Sequence, residues 1–199
     1  MPLEVESLEI KNRNGLIKGE LFKVYTDRGI LFLHGKDDYR YGPSGMYKKI
    51  SDELIGYGIA SAFIDFRDED DQDECVSDIL ASLDHIDSKY GIDRICIVGW
   101  GIGGSSGISA TIKDLRVQTV ITISSQAYGM ENIEYLAQRP IMMVHGVDDN
   151  KISFQNTVDI ARHVQGPKQL ILLPDGDHEL SSYKEKMADM IKNWVLKYL

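Results

Sequence analysis

Apolar runs and amphipathic stretches alternate along this chain with little intervening sequence. Residues 5–10, 16–24 and 29–33 are short runs of large and β-branched apolar residues bounded by glycines and charged residues, the composition of strands. The second and third are predicted to form a hairpin-like pair, with 5–10 as a strand before them. Met46, Tyr47, Ile50, Leu54 and Tyr57 then recur at helical spacing, and Gly58 marks the stop. Residues 59–66 predict the next strand. Val76, Ile79, Leu80, Leu83, Ile86 and Tyr90 mark a helix of about four turns, closed by Gly91. Residues 94–98, 117–124, 140–145 and 169–174 predict further strands with helices in the intervals. Tyr183, Met187, Met190, Ile191, Trp194 and Tyr198 form the buried stripe of a closing helix.

Antiparallel strands followed by repeated β-α units predict an α/β fold, its mostly parallel sheet covered on both faces. A chain of 199 residues predicts one domain, 1–199, large enough to bury about 70% of its unfolded surface. A net charge of −9 argues against a nucleic-acid partner. No apolar run approaches the roughly 18 residues of a membrane span, which argues against a membrane partner. The start, Met1-Pro2-Leu3-Glu4-Val5-Glu6, has neither the basic nor the apolar region of a signal peptide. Of the two cysteines, Cys96 falls inside an apolar strand and Cys75 is predicted to begin a helix. A disulfide is therefore not expected, and a reducing, cytoplasmic location fits.

The candidate chemistry lies in three loops. Gly99-Trp100-Gly101-Ile102-Gly103-Gly104 follows the strand at 94–98 and precedes a run of small residues. A glycine-flanked turn from strand to helix is the setting of the nucleophile elbow, G-x-S-x-G, and here Gly101 occupies the serine position. His145-Gly146-Val147-Asp148-Asp149 and Gly176-Asp177-His178 then supply an acid and a base in the order such enzymes use. Over nearly its whole length the chain resembles the α/β-hydrolases, in particular small capless ones of the dienelactone-hydrolase-like and acyl-peptidase-like esterase types. The resemblance implies an eight-stranded, mostly parallel sheet flanked by helices. Only residues 125–139 separate the sixth and seventh strands, where larger members insert a lid, so none is expected.

The resemblance also implies roles. Asp149 is the triad acid, preferred over Asp148 because Gly146…Asp149…Ile152 matches the family spacing G-x-x-D-x-x-V. The competing reading has one of these aspartates capping a helix that begins near Ser153. His178 is the base; its polar, glycine-containing loop after the last strand sets it apart from His85 and His163, which fall within helices. His34-Gly35-Lys36 follows the third strand, and the backbone amides of Lys36 and Ile102 would form the oxyanion hole. His34, Trp100 and Tyr128 are possible pocket residues; packing is the competing role for Trp100 and Tyr128, and a tight strand-to-loop turn is the competing reading of His34-Gly35. No metal and no cofactor are implied, the ligand is a small-molecule ester or acyl compound, and the oligomeric state has no signal.

Glycine at position 101 suits a strained turn but cannot attack anything. Loss of such a serine costs on the order of 10⁶ in kcat. Ser105 and Ser106 lie about one turn into the following helix, and Cys96 lies in a buried strand, so none has elbow geometry. Gly99, Gly101 and Gly104 also satisfy the dinucleotide fingerprint G-x-G-x-x-G. That fingerprint belongs in the first β-α unit and needs an acidic residue about 20 positions on, which Ile121-Thr122-Ile123-Ser124-Ser125 does not supply. A dinucleotide fold predicts a reversal of strand order near residue 99. Residues 68–74, with six acids in seven positions, read as a solvated loop favouring the next helix N-terminus, or alternatively as a cation or basic-partner site at the pocket rim. The function expected is that of an esterase-like hydrolase impaired or inactive in serine hydrolysis. The alternative is a non-catalytic protein binding a small molecule or anion, and an engineered, inactivated esterase stands behind both.

Overall fold

The structure, a computed structural model, describes residues 4–36, 39–128 and 132–199, and of Ser44 only the backbone. Met1, Pro2 and Leu3, which carry part of the reading of the start, lie outside the described residues. The strands are β1 (Glu4–Asn12), β2 (Gly15–Lys23), β3 (Arg28–Leu33), β4 (Ala60–Asp65), β5 (Arg94–Trp100), β6 (Val117–Ile123), β7 (Ile141–Gly146) and β8 (Lys168–Leu173). They form an eight-stranded sheet in the order β1-β2-β4-β3-β5-β6-β7-β8. The β1/β2 and β2/β4 pairs are antiparallel, and every pair from β4 through β8 is parallel.

Five α-helices among the described residues cover the sheet: α1 (Met46–Leu54), α2 (Gln72–Tyr90), α3 (Ile102–Lys113), α4 (Gln155–His163) and α5 (Lys184–Tyr198). Side chains alternate between sheet faces, so each central strand feeds two cores. Leu31 and Leu33 of β3 pack in the core beneath α2, α3 and α4, with Ile79, Leu83, Ile108 and Ile160. Ile30 and Phe32 point the other way, joining Tyr47, Ile50, Met187, Ile191 and Trp194 from α1 and α5. Burial on both faces explains why β3, β5 and β7 read as unbroken apolar runs. None of the described helices is long and apolar enough to cross a membrane.

One expected pairing is wrong. The hairpin joins β1 to β2, not β2 to β3. Asn12 and Gly15 face each other in register, leaving Arg13-Asn14 as a two-residue connection, and the Asn12 side chain accepts the Arg13 N–H at 2.7 Å. Gly15 opens β2 at φ +150°, a backbone conformation open to glycine, directly after that connection. β4 then inserts between β2 and β3 and pairs on both edges, which suits a strand as apolar as Ala-Ser-Ala-Phe-Ile-Asp.

Helix boundaries differ in one informative place. α2 begins at Gln72, and Cys75 lies inside it, because Asp71 caps the helix by accepting the N–H groups of Asp73 and Glu74 at 2.9 and 3.2 Å. Gly91 ends the same helix in the left-handed conformation, with φ +67°. Between β6 and β7 the described residues form only a 3-10 turn, Ile133–Leu136, and residues 129–131 lie outside the described set.

The strand order reverses where β5 returns to the far side of β3, placing the ends of these two strands at the switch point of the sheet. This reversal lies beside residue 99, as a dinucleotide fold would also have it, so it does not separate the two readings. The antiparallel strands at one edge and the fifth-strand position of the glycine turn are what depart from a dinucleotide unit.

Candidate active site

The turn after β5 is built by close backbone approach. A Cβ on Gly99 would lie 2.2 Å from the Gly103 carbonyl oxygen, so strand and helix can meet here only if this position is glycine. Gly101 sits between them at φ +56° and ψ −119°, a conformation that L side chains rarely adopt. Its N–H donates to the Ile123 carbonyl at 2.9 Å, and its carbonyl accepts the Ser125 hydroxyl at 3.2 Å. Yet space at Gly101 is ample: a Cβ there would meet only the Gly35 Cα, at 3.6 Å. The turn therefore combines a strained backbone with open space and carries no side chain.

Asp149 and His178, the expected acid and base, lie in contact. The His178 Nδ1–H donates to Asp149 Oδ2 at 2.7 Å, and the Asp149 side chain is fully buried. Asp149 Oδ1 accepts the backbone N–H groups of Lys151 and Ile152, both at 2.9 Å. Burial works against ionisation of Asp149, but the Ile152 amide, His178 and the Lys151 amide together hold its carboxyl below the ordinary aspartate value. Asp148 is exposed, and of the two aspartates it is Asp149 that the structure brings to His178. Asp149 does not cap α4, which starts at Gln155; its Oδ1 organises the turn before that helix. The two loops meet glycine to glycine, since a Cβ on Gly146 would lie 2.1 Å from the Gly176 carbonyl oxygen.

The His178 loop is held from beneath. Its carbonyl accepts the Trp100 indole N–H at 3.2 Å and the Ser124 hydroxyl at 2.9 Å. The Trp100 and His178 rings lie 5.0 Å apart at 38°. Ser124 reaches this carbonyl from the left-handed region, with φ +45°. Together Lys36, Trp100, Gly101, Ile102, Gln126 and His178 line a cleft of about 570 Å³. Ile102 opens α3, so its amide has no acceptor within the helix.

Other expected pocket residues lie elsewhere. His34 is buried outside this cleft: its Nδ1–H donates to the Gly35 carbonyl at 2.7 Å and its Nε2 accepts the Phe66 N–H at 3.0 Å. Both ring nitrogens are used to tie the end of β3 to the segment after β4, so His34 is structural. Tyr128 is exposed and lines a neighbouring groove that meets the cleft at Asp70, Ile102 and Gln126. The Ser105 hydroxyl donates back to the Ile102 carbonyl at 3.1 Å, and Ser106 is fully buried. Burial drives the Cys96 thiol well above its ordinary pKa and pushes that of Cys75 up to about 12. In the acidic loop, Asp71 caps α2, Glu74 pairs with Arg67 at 2.5 Å and Asp70 pairs with Lys36. Glu69 and Asp70 also reach the cleft rim. His85 is half-buried beside Tyr90, and His163 is exposed on α4; neither lines the cleft.

Two groups that hold the pair were not singled out from sequence. His145, at the end of β7, lies within 3.1 Å of Asp149 Oδ2 through its Nε2. A histidine ending a buried strand four residues before the acid was the available signal. Ser124 gave none, since its role depends on a backbone conformation that the sequence does not announce.

No protein-family model matches the chain. Among curated proteins it is 26% identical over 129 residues to the uncharacterized protein YfhR of Escherichia coli K12, covering 53% of this chain and 45% of that one. It is 21% identical over 162 residues to YfhR of Salmonella typhimurium, covering 64% and 55%. The chain thus spans about half the length of the curated relatives it matches. Among solved structures it resembles the dienelactone hydrolase of Anabaena variabilis, with a TM-score of 0.87, 17% identity and full coverage of both chains. Est1E from Butyrivibrio proteoclasticus gives 0.83 and 14%, over 96% of this chain and 98% of that one. A lidless α/β serine hydrolase homologue from Xanthomonas campestris gives 0.79 and 16%, over 99% and 96%. The fold is the α/β-hydrolase fold, with no lid among the described residues.

Proposed function

We propose that this chain binds a small ester or acyl compound in the cleft between Gly101 and His178, and that serine-dependent hydrolysis is disabled there. The observation that carries this is the coexistence of a complete Asp149–His178 pair with a strained, roomy turn that bears no side chain. Hydrolysis in this form has to use water, with His178 Nε2 as the base and the Ile102 and Lys36 amides receiving the developing oxyanion. Such a route has no acyl-enzyme and is slow. The other reading, binding without turnover, is favoured by the same missing side chain.

Short p-nitrophenyl esters and their acid products separate these readings when the parent is compared with His178→Ala. Turnover in the parent that is lost in the variant, with product binding retained, marks residual catalysis. No turnover in either, with equal binding, marks a binding protein. Failure of the parent to bind any short-chain ester or acid overturns the proposal.

A further inference from the structure

We infer that His145 is a positioning residue for the pair, its Nε2–H sharing Asp149 Oδ2 with His178 so that one carboxylate oxygen serves two imidazoles. His145 is fully buried, and its Nε2 lies 2.9 Å from the Ile152 carbonyl and 3.1 Å from Asp149 Oδ2. A carbonyl can only accept, so that nitrogen carries the hydrogen. Nδ1 is then the acceptor, and the buried Thr157 hydroxyl, 2.6 Å away, donates to it. A continuous chain therefore runs from Thr157 on α4 through His145 and Asp149 to His178 at the cleft.

Two consequences follow from elementary electrostatics. The Oδ2 atom receives N–H groups from both imidazoles while Oδ1 is held by two backbone amides, so the carboxylate is fixed in rotation. Each further donor also draws charge from Oδ2, leaving less to stabilise a proton on His178. Burial holds His145 below its ordinary pKa, with the Ile152 carbonyl and Asp149 opposing, so it acts as a neutral donor. The charged groups facing His145 are Asp149 and His178. Those around His178 are Asp149 and Lys151 from the β7–α4 loop, Glu179 on its own loop, and Glu69, Asp70 and Lys36 across the cleft. Of these groups Asp149 is the one hydrogen-bonded to His145, so the parent-to-variant comparison reads the shared oxygen.

The inference rests on the reading of His178 as the base of this site, but its test needs no activity. The readout is the proton- and nitrogen-detected titration of histidine ring signals in the full chain. The parent should show His145 protonated on Nε2 and neutral through pH 7. In His145→Phe the His178 titration midpoint should move to higher pH by about half a unit or more. In His145→Gln, whose amide N–H can reach the same oxygen, it should stay within about 0.2 unit of the parent. A parent His145 protonated on Nδ1 overturns the inference, as does a Phe variant with an unmoved or lowered midpoint, or a Gln variant that shifts as far as Phe. The tautomer measurement needs no variant, so a Phe chain that fails to fold leaves it decisive. Loss of the function proposed above, with these ring signals as expected, would leave the role of His145 standing.

Discussion

Replacing Gly101 by serine, with alanine as its control, separates the strain of the turn from its chemistry. The structure gives each part a size. A Cβ at position 101 meets only Gly35 Cα, at 3.6 Å, an ordinary contact, so neither variant is sterically blocked. Both must hold a side chain at φ +56° and ψ −119°, which costs about 1–3 kcal/mol. For a chain of this length each kcal/mol is worth about 2–4 °C in Tm, so both variants should melt about 2–12 °C below the parent. Hydrolysis should then divide them. The serine variant should cleave short p-nitrophenyl esters at least about 100-fold faster than the parent, within a ceiling on the order of 10⁶ for a fully evolved nucleophile. It should also show a burst of p-nitrophenol matching the protein concentration, the mark of an acyl-enzyme. The alanine variant should gain nothing. A folded serine variant no faster than alanine would refute the reasoning, because the pair, the turn and the space would then not add up to a hydrolytic site. A serine variant as stable as the parent would refute the strain argument alone.

Other perturbations test the supports. Asp149→Ala removes the acceptor of His178 and of two backbone amides, and should lower stability by about 1–3 kcal/mol, read as a fall in Tm. Gly146→Ala places a Cβ 2.1 Å from backbone at Gly176, so the acid and base loops must part; a loss of about 1–3 kcal/mol and a weakened Asp149–His178 hydrogen bond, seen as a change in the His178 Nδ1–H resonance, are expected. Trp100→Phe deletes the indole N–H donor to the His178 carbonyl and should cost about 0.5–1.5 kcal/mol by denaturant melt. For pH, burial lowers the His145 pKa from its ordinary 6.5, so below that value the unfolded chain takes up the proton first. Stability should fall as pH drops below about 6.5, and His145→Gln should flatten that limb of Tm against pH. Asp149, held below 3.8 despite its burial, adds stability above that pH that is lost under stronger acid.

Much of the architecture was legible because the sheet is buried on both faces. A strand such as Ile95-Cys96-Ile97-Val98 can be only an interior strand, and the stripes of α2 and α5 leave no other face to bury. Pairing was less legible. The apolar content of residues 16–24 and 29–33 fixes them as strands but not as neighbours, and the insertion of β4 between them is a tertiary outcome. The β1–β2 hairpin closes over Arg13-Asn14, a two-residue connection that the apolar runs on either side do not reveal. At the site, loop order pointed to Gly101, Asp149 and His178, since each follows a recognisable strand, and the fold brings these three loops together. His34 was offered as a pocket residue because a histidine ending a strand reads the same whether or not its nitrogens are used internally. Here Gly35 and Phe66 use both. His145 carried the same local signature and does contact the acid.

The most direct test of the central claim is intact-mass measurement after exposure to a fluorophosphonate, which adds covalently to a serine activated by a neighbouring histidine. Three chains are compared: the parent, Gly101→Ser, and Gly101→Ser combined with His178→Ala. The account predicts one adduct on Gly101→Ser and none on the parent or the double variant. An adduct on the parent would place an active nucleophile elsewhere in the chain, and an unlabelled, folded Gly101→Ser chain would show that the turn after β5 is not a disabled nucleophile elbow.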